Sequence, residues 1–151
     1  MKAGKVYKTM KFQIILASHG QLADGFVSAV EMIAGKQEKL SAYTLSEYGT
    51  PQAIREEVVK KIDNHPDELF ILLADVLCGS VHNQLIEECT RNNVVLISGI
   101  NLALVLDLLL TPDENMNKDK IRESIEGAKK NIRYFDSHSF ENLQKGDNSL
   151  W

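Results

Sequence analysis

The amino-acid sequence predicts a single α/β domain built on an open, mostly parallel β-sheet with helices on both faces. Four short and almost wholly apolar runs punctuate the chain, as buried strands do. Between them, apolar residues recur every three or four positions, which is the spacing of one helix face. Strands that alternate with helices are joined by right-handed crossovers, so they form a parallel sheet covered on both sides. A chain of 151 residues buries a sufficient core for one such domain.

The predicted strands are continuous apolar runs that stop at small or polar residues. They cover residues 12–17, 40–45, 69–74 and 94–97. The order 2-1-3-4 is common in sheets of this kind, and it reverses the winding direction between strands one and three. Residues 132–135 alternate in polarity and are a candidate short fifth strand.

The helices that follow the first two strands have an apolar face and recognisable ends. The first is predicted to end at Gly35, and the second to begin at a Thr50 cap with Pro51 in its first turn. Their predicted core faces are Leu22, Phe26, Val30 and Ile33 in the first helix and Ile54, Val58 and Ile62 in the second.

Three more helices are predicted in the second half of the chain. Ser80 is expected to cap a helix from residue 81 to about residue 91, with Leu85 and Cys89 inside and Glu87 and Glu88 outside. The other two helices cover residues 102–110 and about 118–130. The domain therefore spans residues 12–136, after a basic leader (1–11) that we expect to be disordered and before a polar tail (137–151).

Composition excludes several classes of function. A net charge of −4 without a dense Lys/Arg cluster argues against a nucleic-acid surface. No apolar run approaches the roughly 20 residues of a membrane span, and no secretory signal opens the sequence. We therefore expect a soluble, cytoplasmic protein in which Cys78 and Cys89 are free thiols.

Two chemically active side chains follow the first and third strands. His19 follows strand one after Ser18, and Asp75 comes directly after strand three. Ligands of open parallel sheets bind beyond the carboxyl ends of the strands, where the winding reverses. The sequence therefore predicts that His19 and Asp75 lie together in one crevice, beside the helix start at Gly79 and Ser80.

This set of residues suits phosphoryl transfer. A neutral imidazole keeps one ring nitrogen unprotonated near neutral pH and can attack phosphorus with it. A carboxylate such as Asp75 that accepts a hydrogen bond from the other nitrogen would fix the tautomer. Backbone N–H groups at Gly79 and Ser80 and the Ser80 hydroxyl are candidate donors to phosphoryl oxygens. The predicted catalytic residues are thus His19, Asp75 and Ser80, and the predicted phosphate-binding residues are Gly20, Gly79 and Ser80.

Three blocks of sequence in order resemble the mannose-family IIA components (EIIA-Man type) of the bacterial phosphoenolpyruvate-dependent sugar phosphotransferase system. The blocks are Ile14-Ile15-Leu16-Ala17-Ser18-His19-Gly20, then Asp75-Val76-Leu77-Cys78-Gly79-Ser80-Val81-His82-Asn83, then Gly99-Ile100-Asn101-Leu102-Ala103-Leu104. The second resembles the family motif Asp-x-x-Gly-Gly-Ser-Pro-x-Asn, and the third resembles Gly-Val-Asn-Leu-Pro-Met.

The resemblance implies a phosphotransferase component of sugar uptake that forms a phosphohistidine. His19 would accept the phosphoryl group from phospho-HPr and pass it to a IIB domain, with Asp75 orienting the ring and Ser80 bonding near it. No cofactor is implied, and membrane components would be reached only indirectly. Family members form homodimers and often exchange an antiparallel C-terminal strand, for which residues 132–135 are the candidate here.

The sequence departs from the family pattern at Cys78, Val81 and Ala103, where the family has Gly, Pro and Pro. A loop that needs a positive φ angle is disturbed by replacing Gly, so the departure at Cys78 bears on the transfer rate. The alternatives are a phosphotransfer subunit of a dihydroxyacetone kinase and a regulatory interaction module that has lost phosphotransfer. A histidine phosphatase would need Arg before the nucleophilic His, where this chain has Ser18.

The remaining candidate residues have ordinary structural interpretations. Asp75, Cys78 and His82 together offer too few ligands for a metal site, so no metal is expected. His82 is predicted to lie on the helix surface at the rim of the crevice, and Cys89 in the core.

Overall fold

The computed structural model describes residues 9–146. Residues 1–8 of the predicted leader and residues 147–151 of the predicted tail lie outside the described range. Within that range the sheet is parallel, with the order β2-β1-β3-β4 and strands β1 (Phe12–Ser18), β2 (Leu40–Thr44), β3 (Leu69–Ala74) and β4 (Val94–Ser98). The predicted fold class and the predicted order 2-1-3-4 are confirmed.

Seven α-helices are described, together with two 3₁₀ segments at Ile86–Thr90 and Asp113–Asn115. The helices are α1 (Leu22–Ala34), α2 (Leu45–Tyr48), α3 (Pro51–Asp63), α4 (Ser80–Leu85), α5 (Leu102–Leu110), α6 (Lys118–Lys129) and α7 (Ser137–Gln144). Thr50 caps α3 as predicted, since its side chain accepts a hydrogen bond from the Ala53 N–H at 3.1 Å. None of the helices within residues 9–146 is long and apolar enough to cross a membrane.

The two central strands divide the core into two layers because successive side chains of a strand point to opposite faces. In β1, Ile14 and Leu16 belong to the layer beneath α1, α5 and α6. Ile15 and Ala17 belong to the opposite layer, beneath α3 and α4. Helices on both faces bury β1 and β3 on both sides, which is why these strands are apolar at nearly every position.

The predicted core face of α1 is partly wrong. Val30 is buried, but Leu22 and Ile33 are exposed, and Ala23 takes their place in the core. At about 100° per residue, Leu22 and Ile33 lie about 70–90° from the centre of the buried face. Apolar spacing alone did not show that these two residues sit at the edges of that face.

The predicted helix over residues 81–91 is also partly wrong, because the α-helix ends at Leu85 and continues as the 3₁₀ segment Ile86–Thr90. A 3₁₀ turn has three residues rather than 3.6, so each later side chain is rotated away from its α-helical direction. Cys89, predicted to lie in the core, is exposed, while Glu88, predicted to lie outside, is buried.

Glu88 is tied to two arginines in its buried position. Its carboxylate lies 2.8 Å from Arg55 Nη2 and 2.8 Å from Arg91 Nε. Arg91 also lies 2.7 Å from Asp63, at the end of α3. The charge network therefore joins the 3₁₀ segment to α3 and compensates the burial of the Glu88 carboxylate.

The C-terminal part of the domain differs from the prediction in two respects. Residues 132–135 form no strand in the single chain, and Ile132 and Tyr134 are each 80% exposed. A β-strand is defined by its ladder of hydrogen bonds to another strand, and no ladder within residues 9–146 includes this segment. The predicted polar tail contains α7, which Asp136 caps by accepting a hydrogen bond from the Ser139 N–H at 3.0 Å.

Candidate active site

The register of the sheet brings the first and third strand ends together. Ala17 in β1 pairs with Ala74 in β3; Asp75 is the next residue after Ala74, and His19 is the second residue after Ala17. The chain turns sharply at Gly20, whose φ of 50° lies in the left-handed region that favours glycine. The backbone N–H of His19 donates to Asp75 Oδ2 at 2.9 Å, which closes the loop onto the neighbouring strand end.

The imidazole of His19 faces the carboxylate of Asp75. The distance from Nδ1 is 3.0 Å to Oδ2 and 3.3 Å to Oδ1. Asp75 is buried, with 5% of its side chain exposed, whereas 46% of the His19 side chain is exposed. When the carboxylate accepts the Nδ1 proton, the lone pair of a neutral ring lies on Nε2. The arrangement can therefore present a nucleophilic nitrogen toward an open surface.

Ser80 lies on the other side of the ring. Its Oγ is 3.3 Å from His19 Nε2, within reach of a group bonded to that nitrogen. Ser80 is the first residue of α4 and not its cap, because Gly79 occupies the N-cap position. The Ser80 hydroxyl therefore faces the His19 imidazole rather than its own helix.

Gly79 allows the close approach of the loop to the ring. A Cβ atom at this position would lie 3.3 Å from His19 Cε1 and 3.2 Å from the Val76 carbonyl oxygen. The Gly79 N–H already donates to that carbonyl at 3.1 Å. The Gly79 N–H is thus engaged within the loop, unlike the free donor that the sequence predicted, and what Gly79 gives the site is its lack of a side chain.

Cys78 has a φ of 60°, and it is the one non-glycine residue with a positive φ within residues 9–146. This is the position at which the family motif that the sequence resembles has Gly, the residue that most readily adopts a positive φ. The side-chain amide of Asn83 donates to the Cys78 carbonyl at 3.2 Å and helps to hold the turn. The loop therefore keeps its conformation despite a residue that is strained in it.

The prediction that His82 lies on the surface is wrong. Only 8% of the residue is exposed, and its Nδ1 lies 2.5 Å from Ser98 Oγ at the end of β4. The sequence does carry a signal for this position, because His82 shares a helix face with the apolar residues Val81 and Leu85. Among residues 9–146, no three His, Cys, Asp or Glu side chains group together closely enough to hold a metal ion.

Ser18 is a structural residue of the site that the sequence analysis did not single out. It is buried, and its hydroxyl accepts a hydrogen bond from the Ala23 N–H at 2.7 Å. Gln21, at the N-cap position of α1, makes no such bond. Ser18 thus satisfies an amide in the first turn of α1 and fixes the His19 loop between strand and helix.

Exposed apolar side chains surround the two loops. Leu22 follows the His19 turn, and Val76 and Leu77 follow Asp75; each is at least half exposed. Isolated exposed apolar residues are ordinary, but these three lie close in sequence to His19 and Asp75 and give the two loops apolar neighbours.

Comparison with known proteins places the chain in one family. Residues 13–126 match the family described as the PTS system fructose IIA component (EIIA-man). The PTS system sorbose-specific EIIA component of Klebsiella pneumoniae is 32% identical over 97 residues, which are 63% of this chain and 70% of that protein.

Solved structures share the fold. A Klebsiella pneumoniae protein described as a candidate phosphoenolpyruvate-dependent sugar phosphotransferase system permease has a TM-score of 0.75 at 32% identity, covering 85% of this chain and 93% of that one. The mannose/sorbose specific IIA subunit from Enterococcus faecalis has a TM-score of 0.69 at 22% identity, covering 84% and 96%.

Proposed function

Because the chain belongs to the EIIA-Man family of sugar phosphotransferase system components, we propose that His19 is its phosphoryl acceptor. His19 takes the group from the phosphohistidine of HPr and passes it to a IIB domain during sugar uptake. The observation that carries the proposal is the 3.0 Å contact between His19 Nδ1 and the buried Asp75 carboxylate. With the Nδ1 proton bonded to Asp75, the lone pair of the neutral ring is on Nε2, next to the Ser80 hydroxyl.

The transfer step exchanges one nitrogen–phosphorus bond for another. The Nε2 lone pair of His19 attacks the phosphorus of the donor, and the bond from phosphorus to the donor imidazole breaks with its electron pair returning to that imidazole. The Nδ1 proton of His19 stays in its hydrogen bond to Asp75. The carboxylate thereby offsets the positive charge that the ring gains as the new bond forms.

The phosphoryl oxygens require donors next to Nε2. The Ser80 hydroxyl is 3.3 Å from that nitrogen, and the backbone N–H of Ser80 opens α4, where the helix dipole favours negative charge. Gly20 and Gly79 contribute by letting backbone approach the bound group closely. In this proposal the catalytic residues are His19, Asp75 and Ser80.

A second copy of the chain is the proposed partner of residues 132–135. This segment is exposed and rich in apolar side chains, and β4 pairs only with β3 within residues 9–146, so one edge of the sheet is open there. Adding an antiparallel strand from a partner subunit would cover both features.

Intact-mass analysis after incubation with phosphoenolpyruvate, Enzyme I and HPr tests the proposed function. We expect one phosphoryl adduct that is labile in acid and stable in base. The His19→Ala variant should fold normally and lose the adduct. The His65→Ala variant is the matched control, because His65 is exposed and precedes the amino-terminal end of β3, whereas the crevice lies at the carboxyl end. An adduct that persists in His19→Ala would overturn the assignment, and no adduct on the unaltered protein would favour a regulatory module.

A further inference from the structure

His82 is a buried polar side chain that phosphoryl transfer, as described above, does not use. It lies in the first turn of α4, two residues after Ser80, and only 8% of it is exposed. Placing an imidazole in an interior costs free energy unless its nitrogens find partners. The Nδ1 of His82 has such a partner in Ser98 Oγ at 2.5 Å.

Ser98 is the last residue of β4 and pairs with Ala74, the residue that precedes Asp75. The N–H of Gly99 also donates to the Ala74 carbonyl at 3.3 Å. The end of β4 is therefore bonded to the strand end that carries the catalytic carboxylate. A hydrogen bond from His82 to Ser98 joins the start of α4 to this same point of the sheet.

Few other directional contacts hold the start of α4 in its orientation. Val81 and Leu85 pack into the core layer beneath α3, but apolar contacts are not directional. The remaining polar contact, from Asn83 to the Cys78 carbonyl, stays within the loop and helix itself. Apart from the contact between Ser80 and His19 itself, the bond between His82 and Ser98 is the polar side-chain contact described between the start of α4 and a strand end.

We propose that His82 is a positioning residue: its hydrogen bond to Ser98 holds the first turn of α4 so that the Ser80 hydroxyl stays against Nε2 of His19. The proposal rests on the proposed function. No hydrogen bond between His82 and His19 is present among residues 9–146, and in this proposal His82 acts through Ser80.

Variants of His82 separate the hydrogen bond from simple packing. His82→Phe keeps an aromatic ring of similar size without the bond, and His82→Asn keeps a polar atom near the position of Nδ1. We expect His82→Phe and Ser98→Ala each to slow phosphoryl uptake at saturating phospho-HPr by about 3- to 10-fold, which is the effect of one hydrogen bond. His82→Asn should recover much of the rate, and Gln84→Ala, on the same helix, should leave it unchanged.

The background of Ser80→Ala supplies the decisive comparison. If His82 acts through Ser80, adding His82→Phe to Ser80→Ala should slow uptake no further. The double variant His82→Phe/Ser98→Ala should likewise be no slower than either single variant. Effects that multiply in these combinations, or a normal rate in His82→Phe, would overturn the proposal.

A measurement on the unphosphorylated protein distinguishes failure of this proposal from failure of the proposed function. The ring resonances of His19 should shift in His82→Phe in the same direction as in Ser80→Ala, because both changes remove the hydroxyl from Nε2. Unchanged His19 resonances in His82→Phe would overturn the positioning role even if the protein accepts phosphoryl groups normally. Shifted resonances in a protein that takes up no phosphoryl group would refute the function and retain the structural link.

Discussion

At the scale of single residues, the Asp75 carboxylate contacts two nitrogen atoms of His19, one in the backbone and one in the ring. It accepts a hydrogen bond from the backbone N–H of His19 and lies within hydrogen-bond distance of the ring nitrogen Nδ1. Both of these contacts are to Oδ2, while Oδ1 lies 3.3 Å from Nδ1. An asparagine could place its one oxygen at the position of Oδ2, but its neutral amide accepts more weakly than a carboxylate, and its NH₂ group would stand beside Nδ1 in place of Oδ1. In the proposed mechanism the carboxylate therefore fixes both the loop and the tautomer.

Asp75→Asn should slow phosphoryl uptake by about 100-fold while the fold is retained, because the tautomer with a free Nε2 is no longer favoured. Quench-flow measurement with phospho-HPr gives the rate. Asp67→Asn, at an exposed position before β3, is the matched control. An unchanged rate in Asp75→Asn removes this carboxylate from the mechanism.

The backbone conformation that the loop requires at Cys78 lowers the stability of the folded protein. Its φ of 60° places an L side chain in the left-handed region, which costs about 1–2 kcal/mol. Glycine removes this cost but gains freedom in the unfolded chain, so Cys78→Gly should raise the free energy of unfolding by about 1 kcal/mol. Urea denaturation measures the change. A β-branched residue is more restricted, and Cys78→Val should lower the stability; equal stabilities of all three proteins would contradict the account.

At the scale of secondary-structure elements, the bounds of the strands were predicted better than which helical side chains face the core. The strands β1 and β3 are buried on both faces, so their apolar runs are continuous and their bounds are clear from the sequence. The phase of the segment after Leu85 depends on a change from α to 3₁₀ geometry that no local pattern marks. The same change exposes Cys89 and buries Glu88, and ion pairs with residues distant in sequence stabilise the result.

Glu88 and its neighbour Glu87 provide a direct test of this interpretation. Glu88→Ala should lower the free energy of unfolding by about 2 kcal/mol, because it removes a buried carboxylate and leaves two arginines without it. Glu87→Ala should change it by less than about 0.5 kcal/mol, since the Glu87 side chain is 62% exposed. Thermal or urea unfolding of the two variants makes the comparison, and equal losses would show that the 3₁₀ phase is of no energetic consequence.

Sheet topology was sufficient to predict which strand ends form the site. His19 and Asp75 could be placed together because the residues after paired parallel strands lie at one edge of the sheet. His82 was misplaced because its partner, Ser98, comes from another element and from sixteen residues further along the chain. A polar side chain on an apolar helix face is the only local sign of such a contact.

For the molecule as a whole, the exposed apolar segment before α7 is the feature that the single chain does not explain. Ile132 and Tyr134 are each 80% exposed, and the edge of β4 is open within the described residues. In the proposed homodimer, a partner subunit would cover both the exposed apolar side chains and the open edge of β4.

The double variant Ile132→Ser/Tyr134→Ser should therefore convert the dimer to monomer. Light scattering coupled to size-exclusion chromatography measures the mass in solution at several concentrations. Met32→Ser is the matched control, because Met32 is 87% exposed at a different part of the surface. A monomeric unaltered protein, or a dimer that persists in the double variant, would contradict the proposed exchange.

In the proposed mechanism Asp75 holds Nδ1 of His19 and leaves Nε2 to accept the phosphoryl group. Heteronuclear NMR of the phosphorylated protein, labelled with ¹⁵N in histidine, identifies the bonded nitrogen through its coupling to ³¹P. We expect the phosphorus to be bonded to Nε2 of His19. Phosphorus on Nδ1 of His19, or on His82, His65 or His138, would contradict it.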